Sequence, residues 1–133
     1  MSQPGDPRTV DKIVGDILDA ADAAAEIISR GEDAWERDRI LRLAGEAVIN
    51  RIGDAAGKLP DEIRASIPAV PWDDIRASRI LVAHVYHRID YGVLRATLAQ
   101  DVPRLAVELE RWRERELGHQ RSVERDSGHD LGL

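Results

Sequence analysis

Cysteine and phenylalanine are both absent from this chain of 133 residues, and aromatic residues make up only 4% of it. The absence of cysteine excludes disulfides and thiolate metal sites. A core must therefore be built from Leu, Ile, Val and Ala around three tryptophans, Trp35, Trp72 and Trp112. Small aliphatic side chains let helices approach closely, which favours a helix bundle over a β-sandwich.

Long apolar runs are also missing, since no stretch is long enough to span a bilayer. The polar residues 1–8 lack the apolar centre of a signal peptide. We therefore expect no membrane association and a cytoplasmic location.

The formal net charge is −6, which argues against a protein that coats nucleic acid indiscriminately. The charge is uneven, however. Residues 75–95 hold four arginines and one aspartate, which gives 4 − 1 = +3. A basic segment in an acidic body suits a confined anionic ligand, although a solvated helix face would give the same charge count.

Apolar residues recur at steps of three and four along most of the chain, the pattern of amphipathic helices. One helix is predicted over residues 10–29, closed by Gly31, and a long second helix over residues 33–59, stopped by Pro60. A single helical turn fits residues 61–66.

A third helix is predicted to begin near Trp72, and Asp90 can cap a fourth. Pro103 lies inside the apolar pattern of the fourth helix and predicts a kink or a restart capped by Asp101. The sequence thus predicts an all-α fold, a four- to five-helix up-and-down bundle that dimerises. The helical domain is expected over residues 9–117, between disordered tails at 1–8 and 118–133.

Titratable and cationic side chains are densest in the segment that contains Arg79, His84, Tyr86, His87 and Arg88. Histidine transfers protons near neutral pH, and arginine can bind two phosphate oxygens at once. Together they supply what cleavage of RNA by its own 2′-hydroxyl requires, without a metal or another cofactor.

Residues five apart on an α-helix are separated by roughly 140° around the axis. Arg79 and His84 therefore favour a site at a helix end or in a groove between two copies. Two other interpretations remain open. Arg79 and His84 can be ordinary surface and hydrogen-bonded residues. His84, His87 and Asp90, spaced three residues apart, resemble a set of metal ligands. On an α-helix the first and last of them point in different directions, so we predict no metal site.

The R-x4-H-x-Y pattern formed by Arg79, His84 and Tyr86 resembles the signature of HepT-type toxins in the HEPN superfamily. The LAGEA stretch at 43–47 is similar to the family's IGEA, and PWDDI at 71–75 is similar to its PWRDI. Residues 90–103 resemble the stretch that follows, including its D-x-P step. The resemblance covers about residues 10–112, with its motifs in the family's order.

The resemblance implies a helical bundle of HEPN type that dimerises, with arginine and histidine from both copies lining a shared cleft. It implies a metal-independent endoribonuclease that is the toxin of a type VII-like toxin–antitoxin pair. His84 would transfer protons, Arg79 would bind the phosphate, and Tyr86 could also contact RNA. Apart from the resemblance, we expect Arg76, His87 and Arg88 as further RNA or phosphate contacts. An antitoxin similar to the nucleotidyltransferase MntA would silence the toxin by transferring AMP from ATP onto Tyr86.

Two positions depart from the family pattern. Ile80 stands where a polar residue, most often Asn, is usual, and Val85 stands where Gly is usual. These departures support an alternative, a catalytically inactive dimer of the same fold that binds a nucleotidyltransferase partner or a nucleotide. A more distant alternative is a helical interaction module in which Arg79 and His84 only stabilise the dimer.

Overall fold

The computed structural model describes residues 6–77 and 89–131, with side chains described as far as residue 119. Every element in that part of the chain is helical, and no strand occurs there, so the all-α prediction is confirmed. In chain order the elements are α1 (Pro7–Ser29), α2 (Glu32–Arg37), α3 (Arg39–Lys58), α4 (Asp61–Ala65), α5 (72–77), α6 (Tyr91–Ala96), a π-helical turn (Thr97–Asp101) and α7 (Val102–Leu131).

Helix α1 lies at the centre of the bundle and packs mainly against α3 and α7. It begins at Pro7, three residues before the predicted start, because the Asp6 side chain accepts a hydrogen bond from the Arg8 backbone N–H at 2.9 Å. It ends where Gly31 adopts a φ of 92°, a conformation that favours glycine. The largest fully buried side chains of the core are Ile17, Ile52, Ile67, Leu98, Leu105 and Leu109.

The prediction of one continuous helix over residues 33–59 is wrong at Asp38. This residue has extended backbone angles, and its carboxylate accepts from the N–H groups of Ile40 and Leu41, at 2.9 and 3.3 Å. Such an N-cap starts a new helix, α3, and ends α2 at Arg37. The break leaves α2 short, and the Trp35 side chain on it lies in the core with only 3% of its surface exposed.

Helices α6 and α7 are joined without a break in helical backbone. The prediction that Asp90 caps α6 is confirmed, since its carboxylate accepts from the N–H groups of Gly92 and Val93. The irregularity predicted near Pro103 is a π-helical turn, in which the Val102 N–H donates to the Thr97 carbonyl. The helical backbone continues through Asp101, so of the two predicted irregularities the restart capped by Asp101 does not occur.

Helix α7 continues to Leu131, past residue 118, where the sequence pattern led us to expect a disordered tail. Residues 114–119 are exposed, so this part of the helix extends beyond the core. Arginine and glutamate favour helix even without an apolar stripe. Before this exposed part, Arg111 pairs with Glu108, and Arg113 pairs with Asp11 of α1, each at 3.3 Å.

Candidate active site

The predicted catalytic segment lies almost entirely outside the described residues. Arg79, His84, Tyr86, His87 and Arg88 all fall within 78–88. Their roles therefore stay predictions from the sequence. What the structure describes is how the chain is held immediately before and after this segment, and which groups surround those two points.

The residues before the segment are fixed by Trp72 and Ile75, which we call the first anchor. The Trp72 indole N–H donates to the carbonyls of Arg64 and Ile67, at 3.1 Å each. Ile75 is 3% exposed and joins the core. The first anchor therefore ties α5 to the end of α4 and the turn that follows it. The sequence predicted a helix that begins near Trp72, but not these hydrogen bonds.

The residues after the segment are fixed by Trp35 and Tyr91, which we call the second anchor. The Trp35 indole N–H donates to the Tyr91 carbonyl at 3.0 Å, and the two rings meet edge to face with centroids 6.3 Å apart. The Tyr91 hydroxyl donates to Glu46 Oε2 at 3.2 Å. Glu46 thus holds the Tyr91 hydroxyl, while the Tyr91 ring packs against Trp35.

Arg42 completes the second anchor, although no sequence pattern pointed to it. Its guanidinium carbon lies 5.3 Å from the centroid of the Tyr91 ring, and its Nη1 donates to the carbonyls of Trp35 and Glu36 at 2.8 and 2.6 Å. It therefore binds the C-terminal end of α2 while it covers the ring. Burial raises the pKa of the Tyr91 phenol, the nearby Glu46 raises it further, and Arg42 partly opposes them.

A groove of about 800 Å³ runs beside the first anchor. We call it the Arg76 groove; its charged lining residues are Asp54, Lys58, Arg64, Asp73, Asp74 and Arg76. Lys58 pairs with Asp54 at 3.5 Å, and Arg64 pairs with Asp61 and donates to the Ala56 carbonyl at 3.3 Å. Arg76 is exposed and forms no ion pair within the described part of the chain.

Arg76 is therefore the cation of this groove that is available for an anionic ligand. It is also the one predicted phosphate contact whose position the structure describes, three residues before Arg79. A guanidinium in this state can bind two oxygens of a phosphate. The lining as a whole is neutral, because three acidic residues balance three basic ones, so Arg76 is a candidate contact for a single phosphate beside the predicted catalytic segment.

The described residues were compared with the requirements of a metal site and of a membrane-spanning helix. No group of three or more histidine, aspartate or glutamate side chains there could hold a metal ion. Asp90, the last residue of the histidine-containing string, uses its Oδ1 to cap α6. No helix in the described ranges is both long enough and apolar enough to cross a bilayer.

Known proteins with similar sequences carry ribonuclease names. A family described as ribonuclease HepT-like matches residues 17–112. MJ1380 of Methanocaldococcus jannaschii, a protein that carries an RNase name, is 28% identical over 104 residues, which are 77% of this chain and 95% of that protein. A Thermococcus cleftensis protein that carries the name of a ribonuclease HepT is 28% identical over 76 residues, which are 57% of this chain and 69% of that protein.

No solved structure matches the chain. The family match covers most of its length and includes both anchors together with the whole of residues 78–88. The resemblance first seen in Arg79, His84 and Tyr86 therefore extends over the folded domain. The chain belongs to the HepT-like ribonucleases of the HEPN superfamily.

Proposed function

We propose that this protein is a metal-independent endoribonuclease and the toxin of a type VII-like toxin–antitoxin pair. The observation that carries the proposal is the R-x4-H-x-Y pattern of Arg79, His84 and Tyr86 inside the region that matches the HepT-like family. The RNase names of the relatives support the reaction. The exposed Arg76 beside the segment supports an anionic substrate.

In the proposed reaction, the His84 imidazole accepts the proton of an RNA 2′-hydroxyl while that oxygen attacks the adjacent phosphorus. The bond from phosphorus to the 5′-oxygen of the next nucleotide breaks, and this oxygen takes a proton from a protonated His84 imidazole. Arg79 binds the non-bridging oxygens, on which negative charge accumulates. The products are a 2′,3′-cyclic phosphate and a 5′-hydroxyl, and no metal takes part.

Cleavage of a labelled RNA by the purified chain tests this reaction. We expect cleavage to continue in the presence of a chelator and to fall at least about 100-fold in His84→Ala and in Arg79→Ala. Arg104→Ala is the matched control, since Arg104 is an exposed arginine on α7, far along the chain from the motif. Activity that a chelator abolishes and a divalent ion restores would contradict the mechanism.

We further propose that an MntA-like nucleotidyltransferase antitoxin neutralises the toxin by transferring AMP from ATP onto Tyr86. The chain has only two tyrosines, and the hydroxyl of Tyr91 already donates to Glu46 in a half-buried cluster. Modification of Tyr91 would have to disrupt the second anchor. AMP on Tyr86 would place a phosphate near Arg79, where it would compete with RNA for the same cation.

Mass spectrometry after incubation with the antitoxin and ATP tests the modified position. We expect one AMP on the wild type and on Tyr91→Phe, and none on Tyr86→Phe. If the wild type is toxic, Tyr86→Phe should also escape neutralisation in cells. An adduct located on Tyr91 would show that Tyr86 is not the acceptor.

The proposed cleft requires a homodimer, and α3 offers a surface for it. Ile40 and Leu43 are 70% and 43% exposed, and the exposed Ala44 and Ala47 lie on the same helix face. We propose that the dimer buries this face. Light scattering should give a dimer for the wild type and a monomer for Leu43→Glu.

Val107→Glu is the matched control for this substitution, because Val107 is 46% exposed on α7, away from the α3 face. We expect it to leave the dimer intact. A wild-type monomer at micromolar concentration would contradict the dimer itself. A dimer that survives Leu43→Glu would place the interface elsewhere.

A second candidate function is a catalytically inactive dimer that binds a nucleotidyltransferase or a nucleotide. Ile80 and Val85 favour it, because they replace a usual polar residue and a usual glycine of the family motif. The wild type and His84→Ala would then be equally harmless on induction. Copurification with the nucleotidyltransferase would be retained in both.

A further inference from the structure

A second cavity, of about 470 Å³, lies between α2, the start of α3, α6 and the π-helical turn. Four charged side chains, Glu32, Glu36, Arg42 and Arg95, line it together with Trp35 and Tyr91 of the second anchor. We call it the Arg95 cavity. It is separate from the Arg76 groove, since the two share no lining residue.

The two arginines of this cavity differ in their bonding. Arg42 donates to two backbone carbonyls and lies over the Tyr91 ring, so its position is fixed by the fold. The Nε atom of Arg95 is buried, yet it has no hydrogen-bond partner in the described part of the chain. A buried donor of a charged group is destabilising when it stays unpaired. Arg95 is therefore the group for which a ligand can supply the acceptor, once the side chain turns to bring its Nε–H to the surface of the cavity.

The geometry of a guanidinium restricts the class of that acceptor. Its Nε–H and one terminal N–H lie parallel, and they match the two oxygens of a carboxylate or a phosphate. Arg95 sits on α6, next to the aromatic side chains of the second anchor. The occupant must then present an oxyanion at the end of a stem that can contact these rings.

The acidic residues of the cavity distinguish between the two oxyanions. Glu32 and Glu36 are exposed and balance the charges of Arg42 and Arg95, so the charged lining is neutral in total. A polyanion such as RNA would bring further phosphates toward these carboxylates, which is unfavourable. A single carboxylate adds only one negative charge to this neutral lining, so it meets less repulsion than a polyanion does. Arginine together with aromatic residues is also the composition of energetically important protein contacts.

We propose that the Arg95 cavity is a docking site for an acidic side chain of a protein partner, whose carboxylate accepts the Nε–H and a terminal N–H of Arg95. The site does not depend on the proposed nuclease reaction, because Arg95 has no part in it. Loss of docking and loss of RNA cleavage can therefore be measured separately.

The Nε–H resonance of Arg95 in an ¹⁵N-labelled sample reports directly on this donor. The probe is N-acetyl-glutamate α-amide, which carries one carboxylate, and N-acetyl-glutamine α-amide is its neutral control. We expect the first to shift the resonance in a saturable manner in the millimolar range and the second to leave it unchanged. The Nε–H of Arg104, on exposed α7, should not respond to either compound.

Arg95→Gln should weaken binding of the glutamate probe about tenfold or more, since one charge-assisted pair is lost. Arg104→Ala should bind it like the wild type. Both variants should retain whatever RNA cleavage the wild type shows. If Arg95→Gln fails to fold, the wild-type titration and Arg95→Lys, which keeps the charge but not the paired donors, decide the question.

Three results would overturn the proposal. The Arg95 resonance could be indifferent to the glutamate probe. It could respond equally to the glutamate and glutamine probes. It could also respond at much lower concentration to an uncleavable 2′-O-methyl RNA hexamer, which would make the cavity an RNA subsite instead.

Discussion

The two sides of the predicted catalytic segment are held in different ways. Trp72 of the first anchor donates to carbonyls that lie five and eight residues earlier in the chain. Trp35 of the second anchor donates to a carbonyl 56 residues away, and it is almost fully buried, whereas Trp72 is half-buried. The first anchor is thus a local loop closure, and the second exists only when the whole bundle is folded.

The largest difference between the anchors should appear when each tryptophan is truncated. We expect Trp35→Ala to lower the free energy of unfolding by about 3–5 kcal/mol, since it leaves a large cavity in the core. Trp72→Ala should cost about 1–3 kcal/mol, because less buried surface is lost. Urea denaturation of both variants measures the two values. Equal losses would mean that the second anchor is no more tightly coupled to the core than the first.

A smaller effect should follow from crowding the second anchor. A Cβ atom on Gly45 would lie 2.7 and 2.9 Å from Trp35 ring carbons and 3.1 Å from a Leu98 methyl carbon. We therefore expect Gly45→Ala to be destabilising by about 1–3 kcal/mol. Gly57→Ala, in the same helix but with nothing within 4 Å of the added methyl, should be stabilising by roughly 0.5–1 kcal/mol. Thermal melts should show a lower melting temperature for Gly45→Ala and a higher one for Gly57→Ala. An unchanged melting temperature for Gly45→Ala would contradict the prediction.

The N-cap of α6 at Asp90, just before Tyr91 of the second anchor, should contribute about 1 kcal/mol to the free energy of unfolding. Asp90→Ala removes the acceptor for two backbone N–H groups at the start of α6. Asp22→Ala removes the same charge from an exposed position inside α1 and should change the free energy of unfolding little. Urea midpoints of the two variants provide the test. The prediction fails if both substitutions have the same effect.

The smallest effect concerns the Tyr91 hydroxyl, and it should depend on pH. Tyr91→Phe should lower the free energy of unfolding by about 1 kcal/mol at pH 7, the contribution of one hydrogen bond. Because the pKa of Tyr91 is raised in the folded protein, the unfolded chain releases this proton first, above pH about 10. The advantage of the wild type is then complete below that pH and is lost as the pH rises through the folded pKa. A wild-type advantage that grows with alkaline pH would contradict this sign.

Local signals account for the parts of the fold that the sequence predicted. Gly31, Pro60, Trp72 and Asp90 each act within a few residues of their own position, and each ends, begins or fixes an element as expected. Asp38 was missed, because it stands in a run of charged residues that is typical of a solvated helix face. Its extended backbone angles and the hydrogen bonds that its carboxylate accepts distinguish this cap from a surface residue.

The second anchor and the Arg95 cavity could not be predicted in the same way. Trp35, Arg42 and Tyr91 come together from three helices, and no spacing in the sequence brings them into contact. From the sequence, Arg95 could be recognised only as one positive charge of the basic segment, because the burial of its Nε depends on how the helices pack. For Arg79 and His84 the motif remains the evidence, because they lie outside the described residues.

The π-helical turn gives the chain a place where its length can change. In a regular α-helix, steps of four residues rotate an apolar stripe by ~40° each. The stripe across the turn has steps of four, four, three and four, at Leu94, Leu98, Val102, Leu105 and Leu109. Without Gln100 the steps become four, three, three and four, which suit an uninterrupted α-helix. Sequences one residue shorter at this point can therefore keep the same core, and gaps between related chains should concentrate here.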